Sequence, residues 1–590
     1  MCGIIGVAKK SGNAACEVFE GLKRLEYRGY DSAGLSVLDG GKIATVKRSG
    51  RVGGLEESAE KLFGKVAIGH TRWATHGEPS NRNAHPHVSG AFSIVHNGII
   101  ENFAELKEEL LSDGACFSSE TDSEVIVKLI DKYYSGDPLK AVYKAVGRLK
   151  GSYALAVLCK EFNGIIAVKY KSPVVVGFSE SGITLCSDVP ALPADVTSVC
   201  VPEDGDFCVI TAQSARFYNC SLSAVMRVRR PVFLESFNAG LGKFPHYMLK
   251  EINETERTVR ETCESFFRTV DVKRLTEYVR GADRIIMTGC GTAYNAGLVA
   301  KRFFSDKCGV FCQVEIASEL RYSPPHVTPA TLVLAISQSG ETADTVEAVQ
   351  ELKRAGARVV AVTNCGYSAI TRVAHMVVPV CAGAEVCVAA TKSYLGLLAA
   401  LYLVSKLTGD VFDAQSELTA VCAAIGKILQ NGERAERFAE LCAQSKAVFF
   451  LGRGIDYAVA VEASLKLKEV SYVFSDGYPA GELKHGTLAL VDENTLSVFV
   501  ICDEALAEKC LNAVSQVASR KGRAAVITCV EGVAEKLGDT AEVWEIPACP
   551  VLLSPFLSAV ALQLVAYRTA VILGRDPDKP RNLAKSVTVE

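Results

Sequence analysis

The second residue is a cysteine, in "MCGIIGVAKK", with a glycine behind it and an apolar run from Ile4 to Ala8. Burial as a structural thiol is the common fate of such a residue. Removal of Met1 would instead leave a thiol and a free α-amine on one residue, a nucleophile carrying its own base. The amine's ordinary pKa, about 7.7 to 8.0, leaves a useful neutral fraction near pH 7. Acyl transfer by a thiol also needs an oxyanion hole, and an amino-acid substrate needs a clamp for its charged ends. "VHNGII" offers Asn97 and Gly98, a side-chain amide beside a flexible backbone N–H, while "HTRWATHGEP" offers Arg72 and "SETDSE" offers Asp122. Five of the nine histidines fall between His70 and His96, without the H-x-x-x-H or H-E-x-x-H spacing of a helical metal site. No metal is expected.

Two further stretches could do chemistry. In "LAISQSGETADT" a buried strand ends at Ile336, and Ser337, Gln338, Ser339, Gly340 and Thr342 lead into a helix whose N–H groups and dipole favour an anion. Neutral donors converge there with no Lys or Arg, which suits a cradle for one phosphate; the alternative is a hydroxyl-rich helix cap. "TGCGTAYNAG" falls at the neighbouring strand end, the usual ligand crevice of a parallel sheet. Glu462, Lys466 and Glu469 share one stripe of a helix at i, i+4 and i+7. An exposed ion pair there would add only about a few tenths of a kcal/mol. The flanking Ala463, Leu465, Leu467 and Val470 leave little room for a solvated face, so the stripe reads as a site.

The elements that must position these residues fall into two textures. At 590 residues and 63.1 kDa the chain exceeds what one core serves. Up to about Met226, short apolar strands such as "AFSIVHNG", "SYALAVLC" and "VVVGFS" alternate with helical segments such as "NFAELKEELL", predicting an α+β layered domain. Beyond a Pro-, Gly- and aromatic-rich stretch, "DRIIMTGCGTAYNAG", "TLVLAISQSGETADTVEAVQ" and "RVVAVTN" predict doubly wound α/β with a parallel sheet. "KAVFFLGRGIDYAVAVEASLK" and "TLSVFVICDEALAEK" repeat that order, so the α/β unit occurs twice. The boundaries expected are 1–228 for the first domain, 229–245 for a linker, 246–435 and 436–580 for the repeats, and 581–590 for a tail.

Balanced charge, 64 Lys+Arg against 67 Asp+Glu, offers no footprint for nucleic acid or an anionic membrane. The apolar stretch Val551 to Leu573 is broken by Ser554, Gln563 and Arg568 and reads as an amphipathic core helix rather than a membrane span. Twenty-one scattered cysteines with no C-x-x-C pair and no signal peptide predict reduced thiols in the cytoplasm.

"RLEYRGYDSAG", "RWATHGEPS" and the fragments around Cys2 together resemble the glutaminase domain of N-terminal-nucleophile (Ntn) amidotransferases, an αββα sandwich, in the version found in the glutamine:fructose-6-phosphate amidotransferase family. "LKLKEVSYVF", "AGELKHG" and the terminal "PRNLAKSVTVE" resemble its isomerase half, built from two sugar isomerase (SIS) domains. The resemblance implies that Cys2 attacks the glutamine amide and that Asn97 and Gly98 hold the oxyanion. Arg72 and Asp122 would grip the α-carboxylate and α-amine, with Trp73, Thr75 and His76 on the loop that closes over glutamine. It further implies that Glu469 moves the proton between C1 and C2 of the sugar, that His485, from the neighbouring subunit of a homodimer, opens the ring, and that Lys585 forms a Schiff base at C2. Thr292, Ser337, Gln338, Ser339, Thr342, Val388 and Lys466 would surround the sugar phosphate, and Trp73, Ala584 and Val587 would line the ammonia path. The implied substrates are L-glutamine and fructose 6-phosphate, with no cofactor; another phosphosugar acceptor is the alternative. Two positions depart from the family: Ala293 and Ala390 stand where it usually has Ser, which predicts a weaker hold on the sugar phosphate.

Overall fold

The computed structural model describes residues 2–74, 76–232, 240–305, 309–409 and 411–587. They form two compact units, one from the N-terminus through the linker region together with the residues from Ala584, the other from Gly240 to Leu583.

The N-terminal unit is built from two antiparallel sheets. In the eight-stranded sheet the order is Arg230–Pro231, Ser198–Cys200, Val175–Phe178, Gly182–Cys186, Gly3–Lys9, Val66–Arg72, Ser32–Asp39 and Lys42–Ser49. The seven-stranded sheet runs Ala224–Val225, Ala215–Tyr218, Phe207–Ile210, Phe162–Tyr170, Gly151–Cys159, Phe92–Ile100 and His87–Ser89. Side chains alternate along each strand. Ile5 and Val7 of the first strand pack under the helix Ala14–Leu25, while Ile4 and Ala8 join Val95, Ala154 and Ala156 of the other sheet. The second sheet's opposite face packs against the helices Phe103–Ser112, Glu124–Tyr133 and Pro138–Val146. Helix, sheet, sheet, helix is thus the layer order. Arg230 and Pro231, expected in the linker, pair as an edge strand with Ser198 and Val199.

The second unit contains two five-stranded parallel sheets with the same strand order. The first runs Phe311–Ile316, Arg284–Gly289, Thr331–Ser337, Arg358–Thr363 and Met376–Pro379; the second runs Phe474–Pro479, Ala447–Gly452, Thr495–Ile501, Arg523–Thr528 and Glu542–Glu545. One hydrophobic core runs through both repeats. At its centre lie the helices Lys392–Ser405, buried throughout, and Ser554–Ile572. The latter is long and apolar enough to cross a membrane, but from Ser554 to Tyr567 it is buried on all sides rather than along one amphipathic stripe, because it packs against Ile455–Ser471, Val411–Leu429 and Gly432–Ala443. Its Gln563 Nε2 donates to the Thr391 carbonyl at 3.2 Å, which gives one of the polar groups that break the apolar run a partner in the core.

Candidate active sites

Strand pairing brings the first group of residues together. Gly3 lies opposite Thr71, so Cys2, one residue earlier, falls beside the end of the strand that finishes at Arg72. Trp73 N–H donates to Cys2 Sγ at 3.3 Å, and the Asn97 amide donates to the Cys2 carbonyl at 3.0 Å. Burial pushes the Cys2 thiol up, opposed by the Trp73 N–H and the Arg72 guanidinium; Asp122 is also close enough to act on it. Gly98 has φ +135, and a Cβ there would land on the Ser152 carbonyl, so only glycine fits beside Asn97. Asp122 is held by the Ile100 N–H at 2.8 Å and the Ser123 hydroxyl at 3.3 Å. Arg72, 3 % exposed, donates to the carbonyls of His76, Gly77 and Glu78 and so fixes the loop after its strand. Trp73 stands edge-on to Tyr30 at 5.6 Å and His76 edge-on to Phe103 at 5.3 Å. Thr75 lies outside the described residues.

The histidine cluster sits buried behind this site. His70 Nε2 donates to the His96 carbonyl at 2.9 Å, His96 Nδ1 meets the Ser123 hydroxyl at 2.8 Å, and His87 Nε2 meets the Thr121 hydroxyl at 3.0 Å. The rings of His70 and His85 lie 4.1 Å apart and those of His85 and His87 4.5 Å apart. Burial drives all four down, His70 to about 3 and His85 and His87 far below the ordinary 6.5. They are neutral packing groups, and one of them, His96, steadies Asp122 through the Ser123 hydroxyl.

In the second unit, residues 338–342 form the loop between the strand Thr331–Ser337 and the helix Ala343–Arg354. These residues precede the helix instead of forming its first turn. Ser337 Oγ accepts from Gly340 N–H at 2.9 Å and lies 3.4 Å from Thr342 Oγ1; Ser339 Oγ accepts from Glu341 N–H at 3.2 Å. Gly340, at φ +66, packs against Ser368, where a Cβ would collide. The Gln338 carbonyl accepts from Asn364 N–H at 3.2 Å. The loop is therefore preorganised, with its neutral donors concentrated at one strand end.

The corresponding connection in the second repeat is shorter. Only residues 502–503 separate the strand Thr495–Ile501 from the helix Glu504–Ala518, and Asp503 caps that helix by accepting from Ala505 N–H at 3.1 Å. A carboxylate of the chain occupies the position that would attract an anion.

The charged stripe lies on the helix Ile455–Ser471. Lys466 Nζ stands 2.6 Å from Glu469 and 3.5 Å from Glu462, with Lys466 and Glu462 almost wholly buried. Burial pushes Glu462 up to about 6. Burial would lower Lys466, but Glu469 and Glu462 outweigh it and raise the group. Glu462 also accepts from Thr292 Oγ1 at 3.1 Å and Asn295 Nδ2 at 2.7 Å, so the helices of the two repeats are joined at this carboxylate. The Thr292 hydroxyl, expected at the sugar phosphate, is thus turned toward Glu462. Asn295 was not singled out from the sequence; its place three residues after Thr292, on the same helix face, was the signal for it.

Val388 is buried, and its N–H donates to the Asp578 carbonyl at 3.1 Å. Ala293 is buried and Ala390 half-buried. His485 is exposed on the turn Glu482–His485. Arg581 N–H donates to Tyr472 OH at 2.7 Å, tying the root of the tail to the end of the charged helix. Ala584, Lys585 and Val587 belong to the terminal segment that groups with the N-terminal unit. Among the described residues no cluster of His, Cys, Asp or Glu has the arrangement of a metal site.

A glutamine amidotransferase domain model matches residues 70–194, and a SIS domain model matches twice, over 278–406 and 441–573. Two relatives are each named glutamine–fructose-6-phosphate aminotransferase (isomerizing): that of Caldanaerobacter subterraneus is 42 % identical over 610 residues, and that of Clostridium tetani 40 % over 613 residues, each alignment covering both chains in full. Among solved structures, the C-terminal domain of glucosamine-fructose-6-phosphate aminotransferase from Francisella tularensis is similar to 58 % of this chain over its own full length, with a TM-score of 0.55 and 35 % identity.

Proposed function

The chain belongs to the glutamine–fructose-6-phosphate aminotransferase (isomerizing) family, and from that premise we propose that it takes ammonia from the side chain of L-glutamine and uses it to convert fructose 6-phosphate into glucosamine 6-phosphate. With Met1 removed, the Cys2 α-amine takes the thiol proton and Sγ attacks the glutamine amide carbon. Asn97 Nδ2 and the Gly98 N–H stabilise the tetrahedral oxyanion, while Arg72 and Asp122 hold the substrate's carboxylate and amine. Ammonia leaves, and water then releases glutamate from the thioester. Trp73, Thr75 and His76 are assigned to the loop over glutamine, and Trp73, Ala584 and Val587 to the ammonia path.

At the sugar, Ser337, Gln338, Ser339 and Thr342 hold the phosphate, with Thr292, Val388 and Lys466 around it. Lys585 forms the Schiff base at C2, His485 of a second subunit opens the ring, and Glu469 moves the proton between C1 and C2. The exposure of His485 in the single chain supports its donation across a homodimer. We assign the first domain to 1–232, extended from 228 to take in the edge strand Arg230–Pro231, the α/β repeats to 246–431 and 432–580, divided before rather than within the helix Gly432–Ala443, and the protein to the cytoplasm.

The observation that carries the reading is the convergence on Cys2 of the Trp73 N–H, the Asn97 amide, Arg72 and Asp122. The test is mass spectrometry of the sugar formed from amide-15N glutamine and fructose 6-phosphate. Labelled glucosamine 6-phosphate is expected, and Cys2→Ala should abolish it while isomerisation of the sugar persists. Glutamate release with unlabelled sugar would refute the acceptor, and label transfer by Cys2→Ala would refute the nucleophile.

A further inference from the structure

Three thiols meet at the C-terminal edge of the second parallel sheet. Ile501 and Thr528 are register partners on adjacent strands, so Cys502 and Cys529, each the next residue, leave the sheet side by side. Neighbouring strands run about 4.8 Å apart, inside the roughly 4.4 to 6.8 Å between Cα atoms that a disulfide spans. Cys529 Sγ lies 3.8 Å from the Cys502 carbonyl. Cys549, beyond the strand Glu542–Glu545, completes the group; hydrogen bonds from the Cys502 and Cys549 thiols pull the Cys529 thiol well down, against burial. Cys502 is buried, whereas Cys529 and Cys549 are half-exposed.

We propose that Cys529 is a hydroperoxide-reactive thiol and Cys502 its resolving partner, the two closing into a disulfide between neighbouring strand ends. The Cys529 thiolate attacks one peroxide oxygen, the O–O bond breaks, the departing hydroxide or alkoxide takes a proton from solvent and leaves as water or an alcohol, and a sulfenic acid forms as the peroxide is reduced. Cys502 sulfur then attacks Cys529 sulfur; the S–O bond breaks, the S–S bond forms, and the hydroxide departs with the Cys502 proton as water. Cys549 stays reduced and serves as a donor to the thiolate. The site is not separate from the catalytic framework: Asp456, in the first turn of the helix that carries Lys466 and Glu469, accepts the N–H groups of Cys502 at 2.8 Å and Asp503 at 3.2 Å.

Thiolate character and exposure make opposite predictions here, because Cys16, Cys116 and Cys220 are exposed. The experiment is a hydrogen peroxide titration of the full chain, quenched with N-ethylmaleimide and read by peptide mass spectrometry. Expected is loss of free Cys529 at a peroxide dose about ten-fold below that for Cys16, Cys116 or Cys220, with a Cys502–Cys529 linked peptide as product. In Cys502→Ser, Cys529 should persist as a dimedone-reactive sulfenic acid. Oxidation of the three exposed cysteines at equal or lower dose, or a Cys529–Cys549 link, overturns the assignment, and both outcomes are read on the unaltered protein.

Discussion

Cys2, immediately before one strand, Asn97, within another, and Asp122, held by the Ile100 N–H at that second strand's end, work together only if the strands stay in register, and the buried histidines behind them make that register sensitive to acid. His70, His85 and His87 are held far below the ordinary 6.5, so the unfolded chain takes up protons first. Their contribution is fully present above pH 6.5 and is lost as pH falls. Each group that is neutral in the native state and charged in the unfolded one lowers stability by about 1.4 kcal/mol per pH unit as pH falls below 6.5, and the effects of the three act in the same direction. Hydrogen exchange of the strands Val66–Arg72 and Phe92–Ile100 at pH 7 and pH 5 measures this. His85→Leu, which removes a ring whose nitrogens have no hydrogen-bond partner among the described residues, should flatten the slope by one group's share; unchanged protection between the two pH values would refute the account.

The helix Ile455–Ser471 is fixed at its start by Asp456 and carries Glu462, Lys466 and Glu469 along its length. Burial raises the Asp456 carboxyl from 3.8 to about 8, and Oδ1 has no hydrogen-bond partner among the described residues. A carboxyl raised on folding favours the protonated native state, so its cost grows as pH rises from about 4 to about 8. Asp456→Asn keeps an acceptor for both N–H groups and carries no charge. It should stabilise the protein by at least about 1 kcal/mol at pH 8 and leave it unchanged near pH 4, as read by urea unfolding. At this scale the sequence was legible where periodicity is strong: the strand Thr331–Ser337, the charged helix and the repeated βα order follow directly from it. What could not be read was long-range. Thr292 and Glu462 are 170 residues apart, so no local pattern reveals that the threonine hydroxyl is spent on that carboxylate. The helix Ser554–Ile572 looked amphipathic because Ser554, Gln563 and Arg568 interrupt it, yet Gln563 is absorbed by the Thr391 carbonyl deep in the core. Arg230 and Pro231 lack any strand texture and join the sheet only because Ser198 and Val199 offer an open edge.

For the whole molecule, the assignment of Glu469 and His485 to one sugar site across two subunits can be tested by mixing. Glu469→Gln and His485→Ala homodimers should each be nearly inactive in making glucosamine 6-phosphate while retaining glutaminase activity. A mixed dimer keeps one intact pair. After equal mixing and subunit exchange, about a quarter of wild-type activity should return, half the dimers being mixed with one working site each. No recovery, with exchange verified by native mass spectrometry, would place both residues in the same subunit's site. The loop Ser337–Thr342 also has a bearing on how the protein behaves in different media. It meets an anion with hydroxyls, an amide and backbone N–H groups and contributes no lysine or arginine. Attraction by fixed dipoles acts over a few ångströms, well inside the counterion cloud, so raising KCl from about 20 to about 500 mM should leave KM for the phosphosugar within about two-fold. A sugar phosphate held this way is recognised by shape and hydrogen bonding at close range, and its capture is indifferent to the ionic strength of the surrounding solution.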